Sequence, residues 1–299
     1  MSKSANFGST NAPSAFAEPK LEDVRVGDLT FRTRVAGDGE RLVVLLHGFP
    51  QTSWMWRNVM PALAGQGYRV VAPDQRGYSP GARPEYVEQY GFDALTGDVA
   101  GLAAALGHER FDVVGHDWGG AVAWGTAARF PDKVRSMTSV STPHPTALVE
   151  AMGSPSGDQA NKSSYMALFG AEKGKAEAVL LGNGADGLRD IYRSWGLGRG
   201  DSDDVEEYVR ALSDEETLSG ALNWYRRGFE WAAVDPVDVP ALYIWATEDV
   251  ALGREGAELT ENYVRGPYRF VVLDGVDHWV VEHAGDRLIA ELKEHLAAT

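Results

Sequence analysis

Apolar and polar positions along the chain follow two alternating rhythms. Residues 29–35 (LTFRTRV) alternate apolar with polar side chains, the period of a half-buried strand. The runs 42–46 (LVVLL), 68–72 (YRVVA), 111–114 (FDVV), 134–140 (VRSMTSV), 242–246 (LYIWA) and 270–273 (FVVL) are short and mostly apolar. Strands of that kind suit a sheet covered on both faces. Between them the spacing turns helical. Residues 92–106 carry apolar side chains at 92, 95, 99, 102, 103 and 106, and Gly107 follows as the residue that ends such a helix. Further helices are expected over 118–130 and 286–296. This alternation predicts an α/β fold with a mostly parallel, doubly wound sheet.

The alternation stops between Pro143 and Pro240. That stretch holds no clear buried-strand run and reads as helices over 159–170, 173–182, 203–212 and 214–230. Ser213 and Glu216 have the spacing of a capping box for the last of these. The acidic residues from Asp201 to Glu216 gather at two helix starts, where the helix dipole favours negative charge. The plain reading of that cluster is a solvated helix-starting face. The chain thus divides into a flexible tail over 1–20, a first core part over 21–143, an all-helical insertion over 144–236 and a second core part over 237–299.

Composition narrows what such a fold can do. The chain has 299 residues, enough to bury a sizeable core. Its 28 Lys and Arg against 43 Asp and Glu leave a net charge of −15. Nucleic acid calls for a basic face, and a polybasic membrane anchor calls for clustered cations, so both partners are disfavoured. There is no Cys, which excludes a disulfide framework, a zinc–thiolate site and a thiol nucleophile. No apolar run reaches the roughly 18 residues that cross a bilayer. The polar N-terminus lacks the apolar centre of a secretory signal. The expectation is a cytoplasmic protein without membrane insertion.

Candidate chemistry begins at Gly115-His116-Asp117-Trp118-Gly119-Gly120, between a buried strand and a helix. Small residues on both sides of a central side chain at that junction form a nucleophile elbow, a sharp turn that lifts the central residue above the sheet edge. The central residue here is Asp117. Taken alone, the motif fits a helix N-cap aspartate equally well. In context, the helix N-terminus keeps the carboxylate ionised, and a carboxylate attacks an electrophilic carbon without needing a base. The resulting ester then needs an activated water. His278, just beyond the run 270–273, stands where a water-activating base is expected. Asp249, after the run 242–246, stands where an acid orients that histidine, with Glu248 as its neighbour and alternative. No Asp or Glu lies between Arg135 and Leu148, so an acid after the earlier strand is excluded. In His47-Gly48-Phe49-Pro50 the Gly permits a turn and the Pro stiffens it. The N–H groups of Phe49 and Trp118 are then the candidates for an oxyanion hole.

HGFP at 47–50, GHDWGG at 115–120, TED at 247–249 and DHW at 277–279 resemble the epoxide hydrolases of the α/β-hydrolase fold. The resemblance spans residues 22–298 and implies that the helical insertion is a lid. It also implies two lid tyrosines that grip the epoxide oxygen. Tyr165 matches the first, in a Tyr-x-x-x-Phe context, and Tyr225 the second, in Asn223-Trp224-Tyr225-Arg226. His47, Pro50, Trp118 and Trp279 are implied beside the substrate. Ala246 stands where relatives often carry Gly. The implied partners are a small epoxide and water, with no metal and no cofactor. The expected reaction is opening of the epoxide to a vicinal diol through an Asp117 ester.

Two other readings share parts of this pattern. Haloalkane dehalogenases also pair an Asp nucleophile with a following Trp, but usually carry Asn or another halide-binding group where Phe49 stands, and have no use for Tyr165 and Tyr225. Haloacetate dehalogenases usually place Arg after the nucleophile, where this chain has Trp118-Gly119. A serine esterase would need Ser at 117. A catalytically silent ligand-binding protein of the same fold has no physical need to keep Asp117, Asp249 and His278 together.

Overall fold

The computed structural model describes residues 19–155, 157–197, 203–228 and 233–299. Eight strands form one sheet: β1 (Lys20–Val26), β2 (Leu29–Ala36), β3 (Arg41–Leu46), β4 (Tyr68–Pro73), β5 (Phe111–His116), β6 (Val134–Val140), β7 (Ala241–Ala246) and β8 (Tyr268–Leu273). Their order is β1-β2-β4-β3-β5-β6-β7-β8. The first two pairings, β1 with β2 and β2 with β4, are antiparallel. From β4 to β8 every pairing is parallel. The α/β architecture and the mostly parallel, doubly wound sheet therefore hold.

The helices are α1 (Val59–Ala64), α2 (Phe92–Ala105), α3 (Trp118–Arg129), α4 (Pro145–Gly153), α5 (Gln159–Lys162), α6 (Met166–Phe169), α7 (Lys175–Ser194), α8 (Asp203–Leu212), α9 (Glu215–Arg226), α10 (Arg254–Leu259), α11 (Val280–His283) and α12 (Gly285–Ala297). α3 packs on β5 and β6 and against α2, while α1 packs with α12. Covered in this way, Leu42 to Leu46 and all of β5 and β7 are buried, which is why these segments lack polar alternation.

β1 is an addition to the expected strands. It pairs with β2 through a tight Gly27-Asp28 turn, Val26 opposite Leu29. Gly27 takes the positive φ of 59° that such a turn requires. Only Val24 of this edge strand is buried, so its sequence carries little apolar signal. Lys20 already belongs to β1, and residues 1–18 of the expected tail lie outside the described residues.

Six helices, α4 to α9, lie between β6 and β7 among the described residues. The helix expected over 159–170 is instead two single turns, α5 and α6, parted at Ser163 and Ser164. Gln159 donates from its side chain to Ser163 Oγ at 2.9 Å, and serines of this kind compete with the helical backbone. Tyr165 thereby falls at the entrance of α6. The helix expected over 173–182 starts at Lys175, breaks at Gly182–Ala185 in non-helical φ/ψ, and resumes to Ser194. Ser213 does not cap α9. Asp214 does, accepting from the Thr217 N–H at 3.0 Å, while Ser213 donates to the Val209 carbonyl. A carboxylate is the better acceptor at a positive helix end. Residues 229–230 of the expected last helix lie outside the described residues. No described helix is long and apolar enough to cross a membrane.

Candidate active site

Asp117 stands at the junction of β5 and α3 with φ 53° and ψ −123°, a backbone conformation few L residues adopt. The surroundings hold it there. Its N–H bonds the Val140 carbonyl at 3.3 Å, and Thr142 Oγ1 donates to its carbonyl at 2.7 Å. A Cβ on Gly119 would lie 2.2 Å from the Leu46 carbonyl oxygen, so only glycine allows α3 to start this close to β3. Across the turn, a Cβ on Gly48 would lie 2.3 Å from Asp117 Oδ1. The loop 47–50 therefore rests directly on the carboxylate. The Phe49 N–H donates to Asp117 Oδ1 at 2.8 Å, and the Trp118 N–H donates to the same carboxylate. Burial raises the Asp117 pKa above the ordinary carboxylate value, and the His278 charge and these two N–H groups only partly offset it.

His278 follows β8 and is fully buried. Its Nδ1 donates to Asp249 Oδ2 at 2.9 Å, and its Nε2 lies 3.8 Å from Asp117 Oδ2. Asp249 follows β7 and accepts the Ala251 and Leu252 N–H groups on Oδ1, at 2.8 and 3.0 Å. Burial alone would neutralise both groups. For Asp249 the His278 charge and the hydrogen bonds overcome it and lower the pKa. For His278 burial is outweighed by the Asp249 and Asp117 carboxylates, and the pKa rises to about 9.

Tyr165 and Tyr225 come from different helices, and their ring centroids lie 6.4 Å apart. Phe169 packs against both, and Phe49 packs against Tyr225. The Trp118 ring stands edge-on to Tyr225, centroids 5.1 Å apart. Burial pushes both phenols well above their ordinary pKa of 10, followed for Tyr165 by the Asp117 charge and for Tyr225 by Tyr165 and then Asp117. They are therefore neutral hydrogen-bond donors at any physiological pH.

Two cavities open here. A small one of about 20 Å³ is bounded by Asp117, Thr142, Leu148, Tyr165 and Leu252. A larger one of about 320 Å³ is bounded by Met152, Ala167, Trp224 and Tyr225. Trp118 and Met166 belong to both walls.

The structure brings Asp117, Asp249, His278, Phe49, Trp118, Tyr165 and Tyr225 together. It does not place His47, Pro50 or Trp279 on either cavity wall. His47 is buried beneath its loop, where Nε2 accepts the Gln75 N–H at 3.0 Å and Nδ1 donates to the Gly48 carbonyl. Pro50 receives the Tyr192 hydroxyl on its carbonyl. Trp279 is buried behind His278 and donates to the Trp195 carbonyl at 2.9 Å. All three support the site from behind, because their polar atoms are spent on backbone partners or their rings are packed into the core.

Three further residues support the site. His116, held neutral by burial with a pKa near 3, donates from Nε2 to the His278 carbonyl at 2.9 Å. Trp195 sets its ring edge-on to the His278 imidazole, centroids 5.3 Å apart. Lys162 donates to the Asp249 carbonyl at 2.7 Å, tying α5 to the acid loop.

An Asp–His–Asp constellation at the strand ends of this sheet defines an α/β-hydrolase. A family model described as alpha/beta hydrolase fold matches residues 41–172. The chain is 36% identical to AB hydrolase superfamily protein YfhM of Bacillus subtilis, over 87% of this chain and 92% of that protein. It is 33% identical to Epoxide hydrolase A of Mycobacterium tuberculosis, over 89% of this chain and 94% of that protein. The crystal structure of Epoxide Hydrolase A from Mycobacterium thermoresistibile superposes with a TM-score of 0.81 at 31% identity, covering 93% and 98% of the two chains. The chain belongs to the epoxide hydrolases of the α/β-hydrolase superfamily.

Proposed function

We propose that this protein converts an epoxide to a vicinal diol in two chemical steps, with Asp117 as nucleophile. Asp117 Oδ2, the oxygen facing His278, attacks an oxirane carbon, and the C–O bond of the ring breaks. The oxygen leaves as an alkoxide, accepting hydrogen bonds from Tyr165 and Tyr225 and a proton from one of them, which solvent then restores. Fixed donors aimed at a developing charge in a dry site are the largest source of stabilisation available here. In the second step His278 Nε2 removes a proton from water, and the hydroxide attacks the ester carbonyl. Phe49 and Trp118 N–H groups hold the oxyanion. Its collapse returns the Asp117 carboxylate, and the diol oxygen takes the proton from His278.

The observation that carries this reading is the sharing of one small cavity by Asp117 and the Tyr165 hydroxyl-bearing side chain. A nucleophilic carboxylate needs no phenol beside it unless the leaving oxygen must be caught. Halide displacement fits less well, because a leaving halide takes no proton and gives the two phenols no role. In the same reading the helices over 144–236 act as the lid that closes the site, and 21–143 with 237–299 form the catalytic core.

The test is a single turnover with enzyme in excess of an epoxide, run in heavy-oxygen water. Unlabelled diol is expected, since its new oxygen comes from Asp117. Label in the diol after that one turnover would mean direct attack by water and would refute the ester route.

A further inference from the structure

The two cavities that meet at Trp118 and Met166 are unequal, and their inequality constrains the substrate. Asp117 and Tyr165 face the small one, while Tyr225 faces the large one. An epoxide oxygen held between the two phenols therefore sits at the junction, with one ring carbon toward each space. The small cavity, at about 20 Å³, has room for about one water-sized group, a water needing roughly 10–15 Å³ on this measure. Leu148 and Leu252 close it, both almost wholly buried. The large cavity, at about 320 Å³, lies within the range of small-molecule sites, about 300–1,000 Å³. Its described walls are Met, Trp, Ala and Tyr with two serines and a glycine, and carry no charged side chain.

Resting on the epoxide-hydrolase reading above, we infer that the substrates are uncharged terminal epoxides bearing one apolar substituent, attacked by Asp117 at the unsubstituted carbon. The CH2 of the ring fills the small cavity beside the nucleophile, and the substituent fills the large one. A second substituent of more than about one carbon has no space on the Asp117 side. A carboxylate on the substituent would be desolvated against Met152 and Trp224, with no cation among the described wall residues to meet it.

The experiment compares two isomeric epoxyoctanes and a carboxylate of the same chain length. The wild-type enzyme is given 1,2-epoxyoctane, trans-4,5-epoxyoctane and 7,8-epoxyoctanoate, and kcat/KM is measured for each. 1,2-Epoxyoctane is expected to exceed the 4,5-isomer by at least about 10-fold, the scale on which a pocket rejects surplus carbon, and to exceed the carboxylate by a similar factor, through the cost of burying an unpaired charge. In repeated turnovers in heavy-oxygen water the label should enter the terminal hydroxyl of octane-1,2-diol. Leu148→Ala and, separately, the milder Leu148→Val should raise the relative rate on the 4,5-isomer, with Ala giving the larger gain. Equal or better turnover of the 4,5-isomer or of the carboxylate, or label at the internal hydroxyl, overturns the inference and leaves the epoxide-hydrolase reading standing. No diol from any of the three overturns that reading itself, and the inference with it.

Discussion

His278 lies between two carboxylates and hydrogen-bonds only one of them. Nδ1 is 2.9 Å from Asp249, whereas Nε2 stands 3.8 Å from Asp117 and has no hydrogen-bond partner among the described residues. The imidazole is therefore anchored on one side, and its free nitrogen faces the proposed nucleophile. While Asp117 is ionised its charge helps hold His278 protonated. Once Asp117 is an ester, that charge is gone and the imidazole becomes a base when one is needed.

His278→Gln separates the two steps. It keeps Asp117 and the two phenols and removes the base. Ester should form and persist, visible as a protein mass increased by the mass of the epoxide. Steady-state turnover should fall by about 10²–10⁴-fold, the usual worth of a general base. An unmodified protein mass after incubation with epoxide would remove Asp117 from the nucleophile's role.

The same residue sets a pH dependence of stability. The folded pKa of His278, about 9, lies above its ordinary 6.5. A raised histidine pKa stabilises the fold fully below pH 6.5 and loses that contribution as pH climbs to about 9. For this fully buried group the shift corresponds to about 3 kcal/mol. Urea unfolding at pH 6.5 and pH 9 should show the wild type losing stability by that order, and His278→Gln losing clearly less. Parallel losses in the two proteins would mean that other groups govern the alkaline side.

The tyrosines carry the epoxide-specific part of the chemistry. Tyr165→Phe or Tyr225→Phe removes one donor and keeps the ring packing against Phe169. Each should lower the rate of ester formation by about 10²-fold, and the pair together by more, as for donors to a developing oxyanion. Rapid-quench measurement of ester formation reads this step directly. Unchanged rates in the double variant would sink the proposed role.

Local motifs announced the elbow, the oxyanion loop and the two loops bearing Asp249 and His278, because each is a turn tied to the end of a buried strand. Tyr165 and Tyr225 became legible only through resemblance, since a lone tyrosine on a helix reads as packing. Trp195, Leu148 and Leu252 were not legible at all. They reach the site through the crossing of α4, α7 and the loop after β7, and nothing in their neighbouring residues encodes that crossing. Trp279 shows the converse. The resemblance implied a place beside the substrate, yet its ring turns inward to Tyr192 and Trp195. Adjacent residues at the end of a strand point in different directions, so neighbourhood in sequence does not give neighbourhood to the substrate.

The position of Tyr225 depends on an ion pair one residue away. Arg226 donates through Nη2 to Glu177 Oε1 at 2.7 Å, with both side chains almost completely buried. The partner groups leave little unsatisfied. Ser219 Oγ and the Gly174 N–H also donate to Glu177, and Arg226 reaches the Ala171 carbonyl and Asn223 Oδ1. The pair thus pins α9, which bears Tyr225, to α7 and to the turn after α6. Replacing Arg226 by Met strands a buried carboxylate and should cost about 3–5 kcal/mol, whereas replacing both partners by apolar residues removes the stranded charge and should recover much of that loss. Urea unfolding of Arg226→Met, Glu177→Leu and the double variant measures the coupling. Near-additive losses would mean that the pair acts through packing alone. Partial recovery in the double variant, with ester formation still slowed, would identify the pair as the clamp that holds the Tyr225 hydroxyl in register with Tyr165.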